Sequence, residues 1–135
     1  MNTKTKGQIT EASVALALLR KGKTVLTPYG ENQRYDLVIE EASGEFKTVQ
    51  CKTGKVLRGC IVFNLYSVIR DKDTKKYKKV KYGSTVDYYG VYCNATDKCY
   101  LVPPSEIAGT YGYLRIEERL TNGGGESRYA KDFEI

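Results

Sequence analysis

An α+β fold, one N-terminal helix packed on a mixed, mostly antiparallel sheet, is what this 135-residue chain predicts. Three observations lead there. One stretch near the N-terminus repeats apolar residues at helical spacing. A succession of short runs then alternates apolar and polar residues, punctuated by Gly, Pro and Asn. Twelve tyrosines and no tryptophan suit strands and half-wet surfaces. The length allows a single core, so residues 1–135 are expected to form one domain.

The helix comes first. Thr5-Lys6-Gly7-Gln8 has the spacing of a capping box, which sets its expected start. Ile9, Ala12, Leu16 and Leu19 recur on one stripe, widened by Val14, Ala15 and Leu18. Gly22 ends it, after Arg20 and Lys21 at the negative pole. Such a helix is expected to be buried on most sides, which makes Glu11 an anion in need of a reason.

The strands follow. "KTVLTPY" (23 to 29) is short and stopped by Pro28, with a polar loop after it. "RYDLVIEE" (34 to 41) and "EFKTVQCKT" (45 to 53) form a hairpin around "ASG", the second strand ending at Thr53-Gly54. "CIVFNLYSVI" (60 to 69) reads as one long central strand. "DYYGVYCN" (87 to 94) and "CYLVPP" (99 to 104) flank an "ATDK" turn, after which Ser105 caps a short helix. "GYLRIEE" is a further strand, "TNGGGES" a loop and "RYAKDFEI" a last strand.

The hairpin decides which side chains meet. A two- or four-residue loop centred between Ser43 and Gly44 opposes Asp36 to Cys51 and sends Gln50 and Lys52 to the other face. A three-residue loop Ala42-Ser43-Gly44, with Gly44 left-handed, opposes Asp36 to Gln50 instead. Gly44 stands where that turn wants its glycine, so this register is preferred. Asp36, Gln50 and Lys52 then converge, the first two with Cβ atoms roughly 5 Å apart.

Composition excludes several chemistries. There is no histidine, and the four cysteines (Cys51, Cys60, Cys93, Cys99) form no C-x-x-C pair. The common zinc frameworks and every Ser-His or Cys-His arrangement are thereby removed. Reduced, buried thiols are expected, although Cys93 and Cys99 could face each other across their hairpin. The apolar run "ASVALALL" is eight residues long, too short to span a bilayer, and no cleavage site follows it. An intracellular, reducing location is the expectation.

The net charge of +6 favours an anionic partner, nucleic acid before membrane. Much of it lies in "RDKDTKKYKKVKY" (70 to 82), with seven basic residues against two acidic ones. Arg70, Lys72, Lys75, Lys76, Lys78, Lys79 and Lys81 suit a two-stranded basic ribbon, turning at Asp71 to Thr74, that follows a phosphate backbone. A solvated loop is the plainer alternative. Asn32, Gln33 and Arg34 are further candidates for DNA contact, and Gly7 and Gln8 lie near a helix start that suits a phosphate.

The order helix-Glu, strand, strand-Asp, turn, strand ending in x-x-Lys resembles the PD-(D/E)xK nuclease superfamily. "RYDLVIEEASGEFKTVQCKTGK", "IVFN", "VDYYGVYCNATDKCYLVP" and "RYAKDFEI" together resemble its branch of small homing endonucleases encoded by cyanobacterial group I introns. The resemblance implies a restriction-endonuclease-like core. It implies catalytic roles for Glu11, Asp36, Gln50 and Lys52, with Asp36, Glu11 and the Cys51 main-chain carbonyl as metal ligands. Gln50 stands in for the usual motif acid, as in that branch. Mg²⁺ is the implied cofactor, with Mn²⁺ as a substitute, because phosphodiester hydrolysis needs a hard cation on oxygen ligands. The implied activity is double-strand DNA cleavage by a homo-oligomer, a dimer or a tetramer. Junction resolution shares the same plan, and a non-catalytic DNA-binding module with Gln50 as the scar is the alternative outside enzymes.

Overall fold

The computed structural model describes residues 1–30, 33–81, 85–117 and 128–135. Helix α1 spans Thr3–Arg20, two residues earlier than the capping box predicts. Its cap is Asn2, whose Oδ1 accepts the Thr5 N–H at 2.8 Å. An Asn one turn upstream thus outcompetes Thr5, because its side chain reaches an orphan amide of the first turn. Gly22 follows the end at φ 79°, as expected.

The buried face of α1 keeps only part of the predicted stripe, Val14 and Leu18. Thr10, Val14 and Leu18 are buried, whereas Ile9, Leu16 and Leu19 are exposed, Leu19 by 56%. Two stripes on this helix have the right spacing, and packing selects the narrower. Thr10 is accommodated there because its Oγ1 shares a 2.6 Å hydrogen bond with Thr53 Oγ1. The helix is therefore covered on one side only.

The strands are β1 (Thr24–Leu26), β2 (Leu37–Glu40), β3 (Phe46–Leu57), β4 (Cys60–Asn64), β5 (Tyr66–Arg70), β6 (Tyr77–Lys81), β7 (Tyr88–Cys93), β8 (Lys98–Val102) and β9 (Tyr111–Arg115). Seven of them form one sheet in the order β1-β2-β3-β4-β9, with β7 on β3 and β8 on β7. β3 and β7 run parallel, and every other pair is antiparallel. α1 covers one face over Leu37, Ile39, Val49 and Cys51. The opposite face carries the larger cluster, including Ile61, Phe63, Tyr89, Val91 and Leu114.

Several boundaries differ from the sequence reading. Gly54 does not end β3, which continues to Leu57 and turns at Arg58-Gly59, both at positive φ. Gly54 is needed for space: a Cβ there would lie 2.6 Å from Ile61 Cγ2 and 3.0 Å from Val91 Cγ1. Gly54→Ala should therefore cost about 1–3 kcal/mol, read as a lower midpoint in urea with unchanged slope. An unshifted midpoint would show that the two strands can part at no cost.

The run 60 to 69 is not one strand. Asn64 closes β4 and Tyr66 opens β5, which leaves the main sheet and pairs with β6 as a separate ribbon. Ser105 lies inside a 3-10 turn (Pro104–Glu106) with no side-chain cap. The C-terminal segment forms a 3-10 turn and two isolated bridges, Arg115 with Tyr129 and Tyr100 with Glu134, in place of a strand. The loop expected at "TNGGGES" lies outside the described residues. Cys93 and Cys99 are offset by one register position and belong to different clusters, and all four thiols are free. Among the described residues no helix is long and apolar enough to cross a membrane.

Candidate active site

The β2–β3 hairpin takes the three-residue turn. Glu41 N–H donates to the Glu45 carbonyl at 2.8 Å, Gly44 has φ 88°, and Leu37 pairs with Val49. One step further along this register, Asp36 stands against Gln50, just past the end of β2.

That ending leaves an opening. β3 pairs with β2 up to Val49 and with β4 only from Lys55 onwards. Between them, residues 50 to 54 are paired to β7 on one side. Into this open edge Asp36 reaches, its Oδ2 accepting the Cys51 N–H at 2.9 Å. The N–H and C=O of one strand residue point to the same edge, so the Cys51 carbonyl faces the opening as well. Cys51's thiol points the other way, under α1, and burial beside Asp36 and Glu11 pushes its pKa far up. It stays a protonated thiol, and only the carbonyl is a candidate ligand.

Glu11 approaches from the α1 side, Lys52 from the other, and Asp36 stands at the edge between them, within range of both charges. Glu11 descends from α1, and with Asp36, Gln33, Tyr35, Thr27, Pro28 and Gly30 it lines a cavity of about 340 Å³. Gln50 and Lys52 alternate away from α1, matching Tyr89 and Val91 of the opposite cluster across β7. The site exists because a sheet edge, unlike a sheet face, can be reached from both layers. Lys52 Nζ donates to Asn64 Oδ1 and to the Tyr66 carbonyl, each at 2.8 Å.

Burial shapes the charges. It raises the Glu11 carboxyl, and the negative charge of Asp36 raises it further. It also raises Asp36, against the opposing pull of the Cys51 N–H and the Lys52 ammonium. Lys52 is lowered to about 8 by burial, with Asp36 holding it up in part. Two carboxyls held above their usual range in one cavity form an oxygen-only donor set that a hard cation would relieve. Among the described residues no group of three or more His, Cys, Asp and Glu gathers, so the protein offers no closed cage. Mg²⁺ fits such a sparse set, because it keeps several of its waters.

A sign follows for stability. A carboxyl raised in the fold binds its proton more tightly folded than unfolded. Stability therefore falls as pH rises above 3.8 through the raised value. Asp36→Asn removes that charge while its amide oxygen still accepts the Cys51 N–H. In chelator at pH 7 the variant should melt above the parent chain, with the difference shrinking as pH falls towards 3.8. A lower melting temperature at pH 7 would contradict the desolvated carboxylate.

The candidate DNA-contacting residues divide. Gln33 lines the acidic cavity, Arg34 is half-buried beside it in sequence, and Asn32 lies outside the described residues. Gly7 and Gln8 are not in the first turn of α1, as the later start implied; they sit in the second, one turn ahead of Glu11 on its side. An anion at the helix terminus would meet Thr3 to Thr5 instead.

The basic ribbon forms, with Arg70 paired to Tyr77, Val68 to Lys79 and Tyr66 to Lys81. Its turn runs to Lys76 rather than Thr74, closed by Asp71 N–H to the Lys76 carbonyl at 2.8 Å. Lys72, Lys75 and Lys76 occupy this turn, Lys78 and Lys79 the return strand, and all are exposed. Lys79 Nζ lies 4.7 Å over the Tyr66 ring. Because Tyr66 also receives Lys52, the ribbon is rooted at the site. Asn64 and Tyr66 were missed in the sequence reading, although a lone Asn inside an apolar run is a visible signal.

Helix-borne Glu, edge Asp and a strand lysine two residues after a half-buried amide together describe a nuclease, and the PD-(D/E)XK endonuclease family model matches residues 1–135. The chain belongs to that family. Among solved structures it is similar to the bacterial homing endonuclease I-Ssp6803I, at 22% identity and TM-score 0.76, over 99% of this chain and 89% of that one. This likeness bears out the expected helix-on-sheet fold. No curated protein matches the chain.

Proposed function

We propose that residues 1–135 act as a single nuclease domain, a Mg²⁺-dependent endonuclease that hydrolyses phosphodiester bonds in double-stranded DNA at a specific sequence. The homing role is taken from the similarity to the bacterial homing endonuclease I-Ssp6803I. One observation carries the reading: two carboxyls raised by burial share a cavity beside the edge where Lys52 is held.

Asp36, Glu11 and the Cys51 carbonyl would hold the ion, and Mn²⁺ would substitute for Mg²⁺. When bound, the ion lowers the pKa of an attacking water and neutralises charge on the phosphate. Lys52 supplies a positive donor to the oxygen that gains charge as the bond breaks. Gln50 adds a neutral oxygen where the family motif has an acid, so one ion is held more firmly than a second. Gln33 and the ribbon lysines grip the duplex on either side. A protein this small covers few base pairs, so a long target is met by a symmetric homo-oligomer inside the cell.

The test is cleavage of plasmid and of branched DNA with Mg²⁺, with Mn²⁺ and with chelator. Metal-dependent scission of plasmid, lost in Asp36→Asn, supports the reading. Preference for branched DNA would favour a junction-resolving role. Binding with no scission under any divalent ion would leave a non-catalytic module.

A further inference from the structure

One polar residue interrupts the apolar run between β4 and β5, and it is bonded to the motif lysine. We propose that Asn64 is a positioning residue for the Lys52 ammonium. Through it and the Tyr66 carbonyl, the direction of that ammonium is tied to the seating of the β5–β6 ribbon. The inference rests on the nuclease reading given above.

An ammonium only donates, so the amide oxygen of Asn64 must face it. Asn64 Oδ1 and the Tyr66 carbonyl, both at 2.8 Å, therefore help fix the direction of the ammonium. A neutral acceptor suits this place, because it fixes the lysine without cancelling its charge.

The two acceptors are themselves fixed. Asn64 pairs with Tyr111 in β9, the Leu65 N–H donates to the Thr110 carbonyl at 2.8 Å, and the Leu65 side chain is buried. Residues 64 to 66 therefore form a braced corner with Leu65 plugged into the core. Its far side is the first residue of the ribbon, whose Tyr66 ring meets Tyr111 edge-on, with centroids 5.9 Å apart. A shift of the ribbon at its root moves the Tyr66 carbonyl, and with it the lysine.

Asn64→Ala should lower kcat about 10- to 100-fold, the loss typical of removing the partner that orients a reacting group. KM and melting temperature should stay near wild type. Asn64→Asp keeps an acceptor at the same reach, so Lys52 stays directed, but its negative charge should leave the rate only partly recovered, between Ala and wild type. A second readout does not need cleavage: acetylation of Lys52 by acetic anhydride, followed by peptide mass, should rise several-fold in Asn64→Ala. Should Asn64→Ala leave both rate and acetylation unchanged, the proposal is overturned. It is likewise overturned if Ala and Asp variants lose activity equally while Lys52 acetylation does not move. If the wild-type chain cuts no DNA with any divalent ion, the nuclease reading fails by itself. The acetylation ratio then decides the positioning role alone, a rise supporting it and no change overturning it.

Discussion

Lys52→Ala should lower the rate of metal-dependent DNA cleavage by about 10²- to 10³-fold, the cost of removing one preorganised donor from a developing anion. DNA affinity should change little, because the ribbon and not the site carries most of the net positive charge. The fold survives for a specific reason. Half-burying this cation is already unfavourable, as its pKa near 8 records, so its removal relieves that strain. Against this stand two acceptors left without their donor, Asn64 Oδ1 and the Tyr66 carbonyl, at about 1–3 kcal/mol each if water does not enter. The opening beside β3 admits water, so the balance stays near zero. Cleavage assays under single turnover, paired with thermal melts, measure both halves. Retained cleavage in Lys52→Ala would remove the lysine from the chemistry.

The second large effect concerns binding. Replacing Lys75, Lys76 and Lys78 together by alanine should weaken duplex binding and flatten its salt dependence. Each phosphate contact contributes about 0.9 to the slope of log K against log salt, so three lost contacts remove nearly 3 units. At moderate salt that corresponds to affinity lower by about 10²-fold or more. Lys79 is left in place because it packs over Tyr66, and its loss would disturb the root of the ribbon. All three substituted residues are exposed, so stability should hold. A slope unchanged from the parent protein would assign the grip on DNA to another surface.

What could be read from the sequence follows a physical line. The hairpin register was legible because a glycine at the third loop position and strict alternation agree, and local rules govern both. The same logic found a basic ribbon with its turn near Asp71 to Thr74, but not its first strand, because Tyr66 to Ile69 reads on from Cys60 as one central strand. Glu11, Asp36 and Lys52 could be named from their order in the chain. The hairpin register set Asp36 beside Gln50 and Lys52, but the open edge they meet at could not be read, since that depends on where β2 stops relative to β3. On α1, Ile9-Ala12-Leu16-Leu19 and Thr10-Val14-Leu18 satisfy the same periodicity, and a threonine pair from a distant strand breaks the tie. Gly54 reads as a terminator in isolation, and only the approach of Ile61 and Val91 reveals it as a spacer. Asn64 stayed hidden because its partner is twelve residues away and across a gap.

The gap itself has a second consequence. A stretch of strand with one side unpaired offers its amides and carbonyls to any passing extended chain, and proteins discourage such addition by placing charge beside it. Asp36 already occupies the Cys51 amide at the open edge, and Glu11 lines a cavity with it. The anions that would bind a cation thus also keep neighbouring molecules from zipping onto β3, and erasing both invites self-assembly into fibrils or clumps.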